Sequence, residues 1–178
     1  MGPTVYREGG AIWTFAARAG SLLPRQSNGG GVSLYRAESY RVEDSVGWLV
    51  TRVRSSIFAA VDRELAGTGI SAAQAGILLY LAHGRGDRVA DIARDYSFGT
   101  GAATRMVARL AGKRLLRRVP DAEDGRVVRL ELTAGGRKLA AELPAVAVKV
   151  LNQHLRGFTR AELGQLKALL QRMLDNHG

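Results

Sequence analysis

The sequence predicts a mainly α-helical domain carrying one small β-hairpin, and three observations predict it. Between residues 89 and 133 a short helical pattern, a turn and a second helical pattern precede two strands that flank a charged, Gly-containing tip. Within the second helical pattern, Ala103, Met106, Val107 and Leu110 recur at the three-and-four spacing that puts side chains on one face. Long apolar stripes then occupy both ends, beyond anything a small lobe can cover. Helix, turn, helix and hairpin in that order make a winged helix-turn-helix, expected over about 70–133, with the N- and C-terminal helices forming a dimerisation region.

Residues 1–43 read unlike the rest. Gly9-Gly10, Gly20, Pro24 and the run Ser27-Asn28-Gly29-Gly30-Gly31 break any long helix, so a flexible or partly helical N-terminal extension is expected. A short amphipathic helix carrying Ile12, Trp13 and Phe15 fits residues 11–19. Composition makes the segment a loose tail or a misplaced start; the alternative is that Trp13 packs on the core of its own dimer.

The main domain is expected over 44–178. Asp44 or Ser45 caps a helix that carries Val46, Leu49, Val50, Val53, Ile57, Val61 and Leu65 on one stripe, and Gly67 and Gly69 end it. Ser71-Ala72-Ala73-Gln74 is a capping box opening a helix through His83, with Ile77, Leu78, Tyr80 and Leu81 available for burial. Gly84, Gly86 and Asp87 make a turn before the helix at 89–95, supported through Ile92 and Ala93.

The recognition helix follows. Its outward face holds Gly101, Ala102, Thr104, Arg105, Ala108 and Arg109, with Thr100 at its start. Small residues near a helix N-terminus permit close approach to another surface, and two arginines one turn apart reach phosphates or the acceptor edge of guanine. Thr104 suits either a thymine methyl or a phosphate. From Arg105 to Arg118 the chain carries Arg105, Arg109, Lys113, Arg114, Arg117 and Arg118 with no acidic residue among them. The following strand alternates, with Val128, Leu130 and Leu132 expected inward and Val127, Arg129 and Glu131 outward. Gly125 turns the tip, Arg126 is placed to enter a minor groove, and Asp124 orients a nearby arginine. The expected DNA contacts are therefore Thr100, Gly101, Ala102, Thr104, Arg105, Arg109, Arg118, Asp124 and Arg126.

After the hairpin, Thr133 caps a helix to about Leu155 with Leu139, Leu143, Val146, Val150 and His154 near one face, and Pro144 is expected to bend or break it. Thr159-Arg160-Ala161-Glu162 is a second capping box, and the last helix carries Leu163, Leu166, Leu169, Leu170, Met173 and Leu174. Dimerisation helices at about 44–66 and 134–176 follow, interlocking with a second copy so that paired recognition helices read a pseudo-palindromic site on double-stranded DNA.

Composition bounds the alternatives. A chain of 178 residues, 46% hydrophobic, is one domain of ordinary size with an appended segment. A formal charge of +10 favours an anionic partner. The absence of cysteine excludes disulfides, thiolate metal sites and cysteine-based oxidant sensing. His83, His154 and His177 have no metal-ligand spacing, Gly99-Thr100-Gly101 lacks the remainder of a phosphate loop, and nothing resembles a catalytic constellation. No cofactor or enzyme activity is expected, nor any membrane span or signal peptide, and the localisation expected is cytoplasmic.

Leu110 to Arg118, followed by P-D-A-E-D-G-R-V-V-R-L-E-L-T-A-G-G-R, resembles the MarR family of bacterial transcription regulators. The family's D-x-R wing signature is matched by Asp124-Gly125-Arg126, and its L-T-x-x-G ending by Leu132-Thr133-Ala134-Gly135-Gly136. The resemblance implies the same dimer, and a crevice between the dimerisation helices and the winged lobe that takes a small aromatic acid. Trp48 and Tyr80 would supply stacking surface there, with Arg52 or Arg54 pairing with a carboxylate. The function implied is a homodimeric, sequence-specific repressor released by a small aromatic or phenolic ligand. The alternative is a non-specific architectural DNA-binding protein.

Overall fold

A computed structural model describes residues 33–121 and 127–176. The chain divides into two units, residues 1–40 and 41–178. In the first, Ala37–Ser39 form a single 3-10 turn, and the rings of Tyr35 and Tyr40 meet edge-on at 6.0 Å. Expectations placed on Ile12, Trp13 and Phe15 fall outside the described residues.

The second unit opens on a 3-10 turn at Val42–Asp44 and continues through α1 (Val46–Glu64), α2 (Ala72–Ala82), α3 (Val89–Asp95), α4 (Thr100–Gly112), β1 (Leu116–Pro120), β2 (Val128–Leu132), α5 (Ala134–His154) and α6 (Arg160–Asp175). Four helix starts follow from side chains that satisfy orphan amides. Ser45 accepts from the Trp48 amide, Ser71 and Gln74 form a reciprocal box, Thr133 accepts from Gly136, and Thr159 and Glu162 form the second box. Asp44 lies in the preceding 3-10 turn, so Ser45 is the cap of α1.

The core belongs to the winged lobe and the helix that follows it. Ile77 and Leu78 of α2, Ile92 of α3, Val107 and Leu110 of α4, Leu116 of β1 and Val150 of α5 are fully buried. The strands pair antiparallel with Leu116 opposite Leu132 and Pro120 opposite Val128. Leu130 and Leu132 are buried as the alternation requires, whereas Val128 is 48% exposed. It stands at the outer end of the hairpin, where the alternation of sides continues but the covering layer does not.

Pro144 lies inside α5, which runs unbroken across it, so of the expected bend or break the break does not occur. Proline removes one amide donor, but Leu143 and Val150 on either side are buried, and that packing holds the helix together. The first turn of α5 abuts the corner between α4 and β1. Thr133 donates its hydroxyl to the Arg114 carbonyl at 2.6 Å and its amide to Leu115 at 3.1 Å. A Cβ on Gly136 would stand 1.8 Å from the Leu115 carbonyl oxygen, so only glycine fits there.

Candidate nucleic-acid interface

The recognition helix is held from behind by an aromatic and polar knot. Tyr80 of α2 is buried, meets Tyr96 edge-on at 5.8 Å, and donates its hydroxyl to Asp95 at 2.8 Å, with the Arg85 carbonyl also in reach at 3.1 Å. Tyr96 stacks on Phe98 at 5.4 Å and donates to the Gly76 carbonyl at 2.9 Å. A side chain on Gly76 would meet the Tyr96 ring at 3.2 Å, so α2 carries glycine where the tyrosine crosses it. These contacts span α2, α3 and the turn into α4, and so fix where α4 starts. Burial raises the Tyr80 phenol above its ordinary value, the Asp95 contact adding to it, and the Tyr80 hydroxyl and then Arg94 lower the Asp95 carboxyl. Ser97 takes a left-handed conformation in the turn (φ 52°), a strained backbone held by the elements on both sides.

On α4, Ala103, Val107 and Leu110 are fully buried and Met106 is half-buried, while Thr100, Gly101, Thr104, Arg105, Ala108 and Arg109 are exposed and Ala102 is half-buried. Arg105 lies back along the helix, its Nη1 3.4 Å from where a Cβ on Gly101 would stand. Thr104 donates its hydroxyl to the Thr100 carbonyl at 2.8 Å. The face therefore presents two guanidinium groups beside small side chains near the helix N-terminus.

Arg118 is exposed on β1 opposite Leu130, on the hairpin face that Leu116 and Leu132 bury further in. Its neighbour Arg117 pairs across the strands with Glu131 at 2.6 Å, which offsets its charge. Asp124 and Arg126 lie outside the described residues.

The base of the wing holds a cluster the sequence did not reveal. Arg129 of β2 forms ion pairs with Asp121, which is buried at the end of β1, and with Asp87 at 3.2 Å, while the Leu130 amide donates to the Asp87 carbonyl at 2.7 Å. The wing is thereby fastened to the loop between α2 and α3. Only the strand register brings these residues together; an acidic residue at the end of each flanking segment was the available signal.

The residues expected to line an effector site are dispersed. Trp48 and Arg52 pair on α1 with the guanidinium 5.0 Å from the ring centre, Arg54 sits 4.6 Å over Phe58, and Tyr80 is the buried residue described above. A cavity of about 550 Å³ instead lies between the end of α2, β2 and α5, lined by Leu81, His83, Leu130, Glu131, Arg137 and Pro144 among others. Arg137 donates through Nη1 to the Leu132 carbonyl at 2.6 Å, which anchors its guanidinium at the rim.

Among the described residues no group of three His, Asp or Glu side chains is placed to hold a metal ion, and no helix is long and apolar enough to cross a membrane.

Residues 68–127 match the sequence model of the MarR family. No curated protein sequence matches the chain. Among solved structures, MarR from E. coli in its reduced form is similar at 25% identity and TM-score 0.64, covering 73% of this chain and 96% of that one. MepR of S. aureus, in complex with DNA, is similar at 25% identity and TM-score 0.66, covering 76% and 99%. BpsR of Bordetella bronchiseptica, whose DNA binding is regulated by 6-hydroxynicotinic acid, is similar at 25% identity and TM-score 0.67, covering 76% and 97%.

Proposed function

We propose that the chain, of which residues 68–127 match the MarR family model and whose fold is that of MarR-type winged helix-turn-helix regulators, is a homodimeric, sequence-specific transcriptional repressor released by a small aromatic or phenolic acid. The observation that carries the DNA reading is α4, whose Ala103, Val107 and Leu110 are fully buried while Thr104, Arg105 and Arg109 stand exposed on the face that begins at Gly101. Thr100, Gly101 and Ala102 let the helix start enter a major groove, Arg105 and Arg109 supply the cations, and Arg118, with Asp124 and Arg126 at the tip, serves the adjoining backbone and minor groove. Acting on DNA places the protein in the cytoplasm.

Dimerisation is supported by apolar surface that the described residues leave uncovered. Leu49, Val50 and Val53 of α1, Leu151 of α5 and Leu169, Leu170, Met173 and Leu174 of α6 are each exposed by 41% or more, apart from Leu170 at 38%. A two-fold partner would cover these faces and set two recognition helices about one DNA turn apart.

The cavity beside Arg137 supports the effector reading. Its size suits a small aromatic ring, and Arg137 and His83 at its edge suit a carboxylate. Trp48 and Arg52 would complete a ligand contact from the dimerisation helices. A ligand at a junction of α5 with the winged lobe can favour one lobe orientation over another, and its differential affinity sets how far DNA binding falls.

The test is binding of the purified full chain to DNA upstream of its own gene against random duplex near physiological salt, with and without aromatic carboxylates. The expected result is preference by a factor on the order of 10³ or more, with release by at least one compound. Equal affinity for both duplexes would instead identify an architectural protein.

A further inference from the structure

Thr104 stands on the groove-facing side of the recognition helix, and two contacts suit a threonine there. A phosphate oxygen is an acceptor and needs the hydroxyl proton, whereas a thymine C5-methyl needs only the side-chain methyl. The structure distinguishes them. Thr104 has one hydroxyl proton, and it is directed to the Thr100 carbonyl one turn back at 2.8 Å, the usual back-bonding of a mid-helix threonine. What remains outward is the Cγ2 methyl and oxygen lone pairs, and lone pairs repel phosphate.

Resting on the DNA-binding reading above, we infer that Thr104 is a specificity-determining residue that packs its methyl group on the C5-methyl of a thymine in each half-site. The neighbouring Arg105 extends back beside Gly101, so its guanidinium is offered nearly one turn toward the helix N-terminus from the Thr104 methyl. Successive helix residues advance about 1.5 Å along the axis and successive base pairs about 3.4 Å. With the guanidinium beside Gly101, about 4.5 Å back from Thr104, the thymine accordingly belongs one or two base pairs from the one that Arg105 reads. Ala108, one turn on and also exposed, extends the same apolar strip without adding a donor.

The experiment uses duplexes enriched by the wild-type full chain from a random-sequence pool, with each thymine replaced in turn by deoxyuridine, which differs only by the methyl. One thymine per half-site should lower affinity about fourfold when replaced, the worth of one methyl at ~0.8 kcal/mol. Thr104→Val, which keeps the methyl and loses the hydroxyl, should preserve both affinity and this sensitivity. Thr104→Ser, which keeps the hydroxyl and loses the methyl, should bind the thymine and deoxyuridine duplexes equally. The reverse pattern, with Thr104→Val weakened evenly on selected and random DNA and Thr104→Ser unaffected, would make Thr104 a phosphate donor and overturn the assignment. A thymine sensitivity that survives in Thr104→Ser would assign the methyl contact to another residue. Circular dichroism of both variants checks that the exposed substitution leaves helix content alone. Failure of the wild type to enrich any sequence has a separate signature, because it removes sequence-specific binding altogether and this contact with it.

Discussion

Helices α2 to α4 enclose Ile77, Leu78, Ile92, Val107 and Leu110 completely, whereas α6 buries none of its residues and α1 only Ala60. Helix α4 in the lobe and α1 and α6 outside it are all amphipathic, so an apolar stripe does not by itself separate the two regions. The difference lies in what covers the apolar face. The winged lobe finds its cover in its own hairpin and in α5; the outer faces of α1 and α6 have no cover among the described residues, and in the dimer proposed above a second chain supplies it. A lobe that closes on itself can be moved as a unit, and a face that closes only on a partner can set the distance between two such units.

The strongest way to break this comparison is to damage the self-contained side. Leu110→Ala removes a fully buried side chain from the middle of α4, with an expected cost of ~2–5 kcal/mol. Urea unfolding should show that loss at every protein concentration. A loss that disappeared at high concentration would mean that the lobe, too, depends on a partner. Leu170→Asp probes the other side. It should leave the near-ultraviolet signature of the lobe intact while halving the mass seen by sedimentation, and DNA affinity should fall at least tenfold through loss of the second half-site. An unchanged mass would remove the dimer from the account.

Much of this division was legible in the sequence. The period of Ala103, Val107 and Leu110 located the inward face of α4, and the boxes at Ser71 and Thr159 located two helix starts, because periodicity and capping act within a few residues of themselves. The wing clamp was illegible for the opposite reason. Arg129 meets Asp121 and Asp87 through strand register and loop course, neither of which spacing encodes. Val128 and Pro144 teach the same point from single residues: alternation fixes a side but not whether anything covers it, and a helix-breaking residue yields when its neighbours are packed. The residues drawn from resemblance for the effector site, Trp48, Arg52 and Tyr80, sit on two helices in different surroundings, whereas Arg137 and His83 reach the cavity from segments whose approach is tertiary.

A smaller effect sharpens the comparison within the lobe. Tyr80→Phe keeps the ring against Tyr96 and removes the hydroxyl that reaches Asp95 and the Arg85 carbonyl. Stability should fall by ~1.5–3 kcal/mol, the usual worth of a hydrogen bond to a charged group. Because this knot sets the start of α4, preference for the selected DNA over random duplex should narrow by more than total affinity falls. An unchanged preference would confine Tyr80 to the core.

The smallest expected effect separates the two regions by what holds a carboxylate. Asp95 in the lobe is lowered below its ordinary value by the Tyr80 hydroxyl, from fifteen positions away, and then by Arg94. Glu162 at the start of α6 is lowered by the Thr159 backbone amide and then by the Thr159 hydroxyl, within its own capping box. In both cases the folded value lies below the unfolded one. Each contribution is therefore fully present above the ordinary carboxylate range, near pH 4, and is lost as pH falls through the folded value. Asp95→Asn and Glu162→Gln should each lower the urea midpoint at pH 7 and lose that difference in acid. Their origins differ, and carboxyl titration by NMR in the Leu110→Ala background reads the difference. Loosening the lobe should return Asp95 toward its ordinary value, because its partner arrives through tertiary packing. Glu162 should stay lowered, because its partner is three residues away on the same helix. If both carboxyls returned together, α6 would owe its order to the lobe, and the winged lobe and the terminal helices would be one cooperative unit rather than two.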